Sequence, residues 1–152
     1  MIELTFREAM KEDIVICSKL ISSSEAWSTL GIDYNKAFEL LDSMEDRIYV
    51  AENNNNIVGL ITLRPNGMGN FGAYIRMIAI KEELRNSGIG KQLVNFIESV
   101  AAKHDKNMFL VCSITNVSAI SFYEAIGFER VGVLSNLFID GHDEILYRKR
   151  IV

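Results

Sequence analysis

The sequence contains few cysteines and histidines, and this limits the covalent and metal chemistry that it can support. Cys17 and Cys112 both lie among apolar residues, and neither belongs to a Cys-x-x-Cys motif. This pattern is typical of small core side chains in a reducing compartment, so we expect no disulfide. His104 and His142 lack metal-ligand spacing, so we expect no zinc site and no other bound metal.

Basic residues are scarce relative to acidic ones. The 152 residues carry 16 Lys and Arg against 20 Asp and Glu, a formal net charge of -4. Because no basic stripe offsets the acidic excess, we expect no nucleic-acid partner. Segment 1–7 alternates like a strand, and no long apolar run follows it. We therefore expect a cytoplasmic protein with no signal peptide, membrane span or membrane partner.

Hydrophobic periodicity predicts strands and helices in alternation, in a chain long enough to bury one core. With 49% hydrophobic residues, we predict a single domain spanning residues 1–152. Asn53 to Asn56 predict a hairpin turn, because asparagine tolerates left-handed backbone angles. The predicted strands cover residues 2–7, 47–52, 57–63, 74–80, 108–113, 128–134 and 144–150, and the predicted helices cover 12–21, a segment after the N-cap Asp33, 90–103 and 118–126.

Segment 85–91, with the sequence Arg-Asn-Ser-Gly-Ile-Gly-Lys, joins the apolar strand 74–80 to a helix. Gly88 and Gly90 remove two β-carbons where the chain must turn, and so allow an anion to approach the main chain. The first N–H groups of the helix have no intrahelical partner, and a basic residue at each end adds positive charge. The segment therefore predicts a phosphate site, against the alternative of a surface turn that uses glycine only for geometry.

A second motif follows. Residues 116–128 match the pattern Asn-x-x-Ala-x-x-Phe-Tyr-Glu-x-x-Gly-Phe, and residues 85–90 match Arg-x-x-Gly-x-Gly. In this order the two motifs resemble those of the GNAT superfamily of N-acetyltransferases, over roughly residues 74–128. The resemblance implies an α/β fold with a central twisted mixed sheet and helices on both faces. It also implies acetyl-CoA as cosubstrate, in a cleft between two central parallel strands.

The resemblance assigns the cofactor mainly to main-chain groups. The pantetheine arm would lie along the strand before the loop, and the diphosphate would rest on the loop amides. The oxyanion would be stabilised by a main-chain N–H around Met77 and Ile78, freed by a bulge. Asn116 would contact the pantetheine arm, or else serve only as a helix cap. The implied cofactor-binding residues are Ile78, Ala79, Ile80, Arg85, Asn86, Ser87, Gly88, Ile89, Gly90, Lys91, Asn116 and Tyr123.

Catalysis requires an acid for the departing thiolate and a base for the amine. The resemblance implies Tyr123 as the acid, since a phenol stays protonated at neutral pH; the alternative is that Tyr123 only packs within its helix. Some family members carry a glutamate in the strand before the asparagine, but residues 109–113 contain no carboxylate. A water chain could serve instead. The candidate bases elsewhere are Glu25, Asp33, Asp140, His142, Asp143 and Glu144.

The acceptor is the least determined part of the prediction. The resemblance implies transfer of the acetyl group to a primary amine of a small molecule or peptide, with Trp27 and Tyr74 as candidate acceptor-site residues. Trp27 alternatively plugs the core. A metabolite, an amino-sugar drug, a protein N-terminus and a lysine all remain open as acceptors. Transfer of another acyl group from CoA and a non-catalytic CoA-binding module are the alternative functions. Homodimers are frequent among such proteins.

Residues 67–72 spell the dinucleotide-binding fingerprint Gly-x-Gly-x-x-Gly. That fingerprint requires a helix immediately after the glycines, to receive a diphosphate. Here the strand-like run 74–80 follows instead. We therefore predict that residues 65–72 form a hairpin loop that borders the acceptor pocket.

Overall fold

Strands and helices alternate along residues 2–152, which the computed structural model describes. The strands are β1 Thr5–Glu8, β2 Arg47–Asn53, β3 Asn56–Leu63, β4 Ala73–Tyr74, β5 Ile78–Ile80, β6 Asn107–Ser113, β7 Glu129–Leu134 and β8 Glu144–Arg150. The α-helices are α1 Ile14–Ser22, α2 Glu25–Ser28, α3 Tyr34–Ser43, α4 Ile89–Ala101 and α5 Val117–Ala125. Short 3₁₀ turns cover Lys11–Asp13, Gly69–Phe71 and Glu82–Leu84.

The strands form two four-stranded sheets, with the orders β1-β2-β3-β5 and β4-β6-β8-β7. Strand β4 pairs parallel with β6, and the other paired strands are antiparallel. The prediction of one continuous strand over residues 74–80 is wrong, because the chain changes pairing partner inside that run. The N–H of Ile75 donates to Phe109 O of the second sheet, whereas that of Met77 donates to Thr62 Oγ1 of the first.

Helices cover both faces of the first sheet, as predicted. Successive side chains of a strand point to opposite faces, and β2 shows the consequence. Tyr49 and Ala51 belong to the apolar cluster that α4 and α5 complete. Ile48 and Val50 belong to a second cluster, which α1 and α3 complete on the other face. The mixed α/β architecture expected from the sequence is confirmed, with its sheet divided in two.

Local signals in the sequence placed several element ends correctly. Asp33 caps α3, because its Oδ1 accepts a hydrogen bond from the N–H of Lys36 at 2.8 Å. Asn54 and Asn55 take positive φ angles of 50° and 63° in the turn between β2 and β3. The first strand, predicted over residues 2–7, forms only over Thr5–Glu8, and the short helix α2 was not predicted.

The fingerprint-like segment 67–72 forms a turn between β3 and β4, and a strand follows it. Its glycines have steric roles. A β-carbon on Gly67 would lie 2.6 Å from Cβ of Tyr74, and one on Gly72 would collide with the carbonyl group of Asn107. The structure therefore agrees with the rejection of a dinucleotide site at this segment.

Candidate active site

The two sheets diverge beside β5 and leave a gap between β5 and β6. Main-chain groups of alternate residues of β5 face this gap. Thr62 and Met77 form a hydrogen-bonded position of the β3–β5 ladder, with the N–H of Thr62 donating to Met77 O at 2.9 Å. Hydrogen-bonded and non-bonded pairs alternate along an antiparallel ladder. Ile78 and Ile80 lie at the non-bonded positions, so their N–H and C=O groups point away from β3.

Strand β6 forms the opposite wall of the gap. Its pairing with β4 ends at Tyr74 and Phe109, so on this side residues 110–113 have no strand partner among residues 2–152. Free main-chain groups therefore lie on both walls: the N–H of Ile78 and the main-chain groups of Ile80 on one, and those of the second half of β6 on the other. An extended ligand could form hydrogen bonds with both walls as an additional strand.

The N–H groups of Met77 and Ile78, both predicted to stabilise an oxyanion, differ in their hydrogen bonding at the break between β4 and β5. The N–H of Met77 donates to Thr62 Oγ1 at 3.0 Å, so this N–H is already occupied. The N–H of Ile78 faces the gap and is free of the ladder. A change of strand partner, and not the predicted bulge between paired strands, produces this exposed group. Thr62 is a site residue that the sequence did not single out.

Segment 85–91 presents a run of unpaired amides at the end of the same gap. The main-chain N–H groups of residues 86–91 have no acceptor within residues 2–152. Asn86 and Gly88 take positive φ angles of 60° and 86°, which turn the chain into α4. Arg85 and Lys91 are exposed and form no salt bridge within the described residues. The segment therefore offers convergent donors and positive charge to an anion.

The two glycines of this segment have different roles, and the sequence-based interpretation of Gly90 needs correction. A β-carbon on Gly88 would meet nothing within 4 Å, so Gly88 is needed for its backbone angle. A β-carbon on Gly90 would lie 3.2 Å from Cζ of Phe122. Gly90 lies inside α4, which begins at Ile89, and its missing side chain allows α5 to pack closely.

Asn116 lies at the end of β6 and caps α5. Its Oδ1 accepts a hydrogen bond from the N–H of Ala119 at 3.1 Å, as the helix-cap alternative predicted. The side-chain Nδ2 group donates to no acceptor within the described chain. The cap thus fixes the side chain and leaves one amide donor available.

Tyr123 is buried in α5 with 8% of its surface exposed. Its ring centroid lies 5.3 Å from that of Phe122, 5.7 Å from that of Phe128 and 6.2 Å from that of Tyr147. The hydroxyl makes no hydrogen bond with any residue in the range 2–152. Burial raises the pKa of Tyr123 well above its usual value, which keeps the phenol protonated. The ring has the packing role, and the hydroxyl remains free to donate.

Trp27 and Tyr74 lie beside the start of β5. The indole Nε1 of Trp27 lies 3.5 Å from the carbonyl oxygen of Ile78, and the ring packs against the cluster that α1 and α3 complete. Tyr74 is half-buried, and the guanidinium carbon of Arg76 lies 5.9 Å from its ring centroid. Burial raises the pKa of the Tyr74 phenol.

Burial separates the six candidate bases. Glu25, Asp33, Asp140 and His142 are exposed, and Asp143 is half-buried. Glu144 has 4% of its surface exposed, and its carboxylate forms no hydrogen bond or ion pair within residues 2–152. Burial raises the pKa of Glu144 above its ordinary value.

Comparisons with known proteins identify the family. The model of the Acetyltransferase (GNAT) family matches residues 8–128. The chain belongs to the GNAT acetyltransferase family. An N-alpha-acetyltransferase of Saccharolobus solfataricus is 28% identical to this GNAT chain, over 95% of the chain and 91% of the relative. The protein is thus an acetyl-CoA-dependent acetyltransferase that acts on an amine, as expected from its motifs.

Solved structures support the same fold. A GNAT-family protein of Desulfovibrio desulfuricans superposes with a TM-score of 0.84 at 20% identity, covering 99% of this chain and 100% of that chain. A GNAT acetyltransferase of Elizabethkingia anophelis with acetyl-CoA bound gives a TM-score of 0.72 at 22% identity, over 97% of each chain. The fold of this GNAT protein is therefore one in which an acetyl-CoA complex has been observed.

The described part of this GNAT chain contains no helix that is both long and apolar enough to cross a membrane. Across residues 2–152, no three His, Cys, Asp or Glu side chains group together in a way that could hold a metal ion.

Proposed function

We propose that this GNAT protein transfers the acetyl group of acetyl-CoA to the free α-amine of a peptide N-terminus, with Tyr123 as general acid. The observation that carries the proposal is the run of unbonded N–H groups at residues 86–91, placed at the end of a gap with free main-chain groups on both walls. In an enzyme of this family, such a run of donors fits the diphosphate of the cosubstrate.

The residues divide the chemistry among them. Amides 86–91 hold the diphosphate, and the main chain of Ile78–Ile80 binds the pantetheine arm as an added strand. The N–H of Ile78 stabilises negative charge on the thioester oxygen as the amine attacks. The hydroxyl of Tyr123 donates its proton to the departing sulfur, because no other group competes for that proton and burial keeps it in place.

Three considerations favour the α-amine of a peptide as acceptor. The Saccharolobus relative, similar along 95% of this chain, is named an N-alpha-acetyltransferase. An α-amine has a pKa of roughly 7.7–8.0, against about 10.4 for lysine, so it is more often neutral and nucleophilic at physiological pH. The exposed apolar residues Leu134, at the end of β7, and Leu137 and Phe138, which follow that strand, could bind the side chains of a peptide.

The test measures thiol release from acetyl-CoA with matched acceptors. One peptide has a free N-terminus and no lysine, and its partner has a blocked N-terminus and one lysine. Spermidine and an amino sugar complete the panel. We expect turnover with the free N-terminus and little with the other acceptors. Preference for the lysine peptide or a small amine would contradict the acceptor assignment. Cofactor binding without turnover on any acceptor would favour the non-catalytic module, and faster turnover with propionyl-CoA would favour another acyl donor.

A further inference from the structure

Glu144 is a largely buried residue whose carboxylate makes no hydrogen bond or ion pair within the described residues, although its oxygens keep some contact with solvent. It is the first residue of β8 and only 4% exposed. A buried carboxylate that lacks a partner is costly for folding, and proteins tolerate such groups chiefly where function requires them. The packing of the fold therefore gives no reason of its own for this charge.

The strand register places Glu144 on the same face as Tyr74. Ser113 of β6 is the Cα partner of Glu144, and Phe109 of β6 is the partner of Tyr74. Residues directly opposite each other on neighbouring strands share a face, and so do residues separated by an even number along one strand. Tyr74 and Glu144 therefore share the face of the second sheet opposite the cluster that α4 and α5 complete.

This face lacks a carboxylate on β6 itself. Residues 109–113 are Phe-Leu-Val-Cys-Ser, so the strand that carries a glutamate in some similar enzymes carries none here. Strand β8 is hydrogen-bonded to β6 along its whole length. Glu144, at the first position of β8, thus places a carboxylate on the same face of the sheet as Tyr74, one strand further from the gap than β6.

Glu144 is also within electrostatic reach of the gap. Burial is the main cause of the raised pKa of Tyr74, and the negative charge of Glu144 adds to it. Burial likewise raises the pKa of the Cys112 thiol to about 11, again with a contribution from the charge of Glu144. Tyr74 precedes the break before β5, and Cys112 lies in the part of β6 that walls the gap. The charge of Glu144 therefore acts on one residue beside the gap and on one residue of its β6 wall.

We propose that Glu144 is the general base, which takes the proton from the acceptor nitrogen as it attacks the thioester; this inference rests on the proposed function. The nitrogen lone pair forms the C–N bond while the C–S bond breaks. The proton on nitrogen passes to the Glu144 carboxylate, and the hydroxyl proton of Tyr123 passes to the sulfur. Exchange with solvent then returns one proton to Tyr123 and removes one from Glu144, so no further reactant is needed.

The charge state of Glu144 gives this role a pH signature. The titratable groups on its face of the sheet are Tyr74 of β4 and Arg148 along β8, and His142 and Asp143 lie in the preceding turn. Cys112 of β6 lies on the opposite face, and β7 contributes the apolar Leu134. Because burial raises the pKa of Glu144, its carboxylate loses the proton only above the usual glutamate range. A base must be deprotonated, so kcat should rise with pH through that value.

The experiment compares the wild type with Glu144→Gln and, as a matched control, Glu129→Gln. Glu129 is an exposed glutamate on β7, the strand next to β8. The pH dependence of kcat is measured at saturating peptide with a free N-terminus, and CoA affinity is measured by calorimetry. We expect Glu144→Gln to lower kcat by roughly 10²-fold and to leave CoA affinity unchanged. The fall of kcat at low pH, the acidic limb of its pH profile, should disappear in this variant. Glu129→Gln should match the wild type.

The inference would be overturned if Glu144→Gln kept the wild-type kcat and the wild-type fall of kcat at low pH. It would also be overturned if the variant raised KM and left kcat and its pH dependence unchanged. If the glutamine variant does not fold, Glu144→Asp decides the question. The aspartate should keep an acidic limb at reduced kcat, and full wild-type kcat would contradict the role. An inactive wild type would instead disprove the proposed function, so the two failures are distinguishable.

Discussion

Gln92 donates the first hydrogen bond of α4 to the carbonyl oxygen of Gly88, at 3.2 Å. Every main-chain N–H from residue 86 to 91 precedes this bond and has no acceptor in the described range. Gly88 holds its positive φ of 86° immediately before the helix, and together with Asn86, at φ 60°, it sets the direction of these donors. The geometry of the phosphate site is therefore a property of the backbone more than of charged side chains.

Gly88→Ala tests the backbone geometry. An L-residue at a left-handed angle costs about 1–2 kcal/mol, and nothing within 4 Å of the new β-carbon adds a steric term. We expect a loss of stability of that size and weaker CoA binding. Gly88→Asn is the control, because asparagine tolerates this angle and is a good N-cap. Equal behaviour of the two variants in thermal unfolding and calorimetry would contradict the expectation.

Tyr123→Phe separates the two roles of this side chain. The ring keeps its packing with Phe122, Phe128 and Tyr147, and no hydrogen bond of the hydroxyl is lost within residues 2–152. We expect kcat to fall by roughly 10²-fold, with unfolding temperature and CoA affinity nearly unchanged. Steady-state kinetics with the peptide acceptor provide the measurement. Unchanged turnover would leave Tyr123 with a packing role only.

The sequence predicted the features that short-range chemistry determines. The glycine segment, the asparagine turn and the Asp33 cap each depend on residues close together in the chain. The sequence did not predict the division of the run 74–80 between two sheets. A uniformly apolar run indicates burial on both faces, but it does not identify which strand each residue pairs with. Thr62, which binds the N–H of Met77, lies far from that run in sequence.

The candidate site shows the same limit. Glu144 follows Asp140, Gly141, His142 and Asp143, so its sequence context resembles an exposed turn. The pairing of β8 with β6 on one side and with β7 on the other places it inside the sheet. Likewise, the need for glycine at position 90 arises from Phe122, which approaches from another helix. Tertiary contacts of this kind leave no local pattern in the sequence.

Glu144→Gln should increase stability while it decreases activity. Because the folded-state pKa of Glu144 is raised, the folded protein binds the proton more tightly than the unfolded chain does. Stability therefore falls as pH rises from the unfolded value through the folded one, and glutamine removes this loss. We expect the variant to be more stable than the wild type at pH 8, with the difference vanishing below the unfolded pKa of ~4.3. A destabilised variant at pH 8 would contradict this.

Asp13 should show the opposite pH dependence. The Arg7 guanidinium donates to Asp13 Oδ2 at 2.7 Å and holds the pKa of this carboxyl below its usual range, and the N–H of Met10 donates to the same oxygen at 2.7 Å. This stabilisation is complete above the unfolded pKa, near ~3.9, and is lost as pH falls through the lower folded value.

Asp13→Asn should accordingly cost about 1.5–3 kcal/mol at pH 7, because charge-assisted hydrogen bonds are lost. The difference from the wild type should shrink below pH ~3.9. Denaturant unfolding at several pH values provides the measurement. Glu12→Gln, at the exposed neighbouring carboxylate, should stay within about 0.5 kcal/mol of the wild type. A pH-independent difference for Asp13→Asn would contradict the assigned cause.

The most direct test of the site is calorimetric titration of the wild type with acetyl-CoA and with acetyl-pantetheine, which has the same thioester but no diphosphate. If amides 86–91 grip the diphosphate, losing even one charge-assisted hydrogen bond of about 1.5–3 kcal/mol should weaken binding at least tenfold. We therefore expect acetyl-CoA to bind at least tenfold more tightly than acetyl-pantetheine. Equal affinity for the two, or no heat from acetyl-CoA on folded protein, would contradict the assignment.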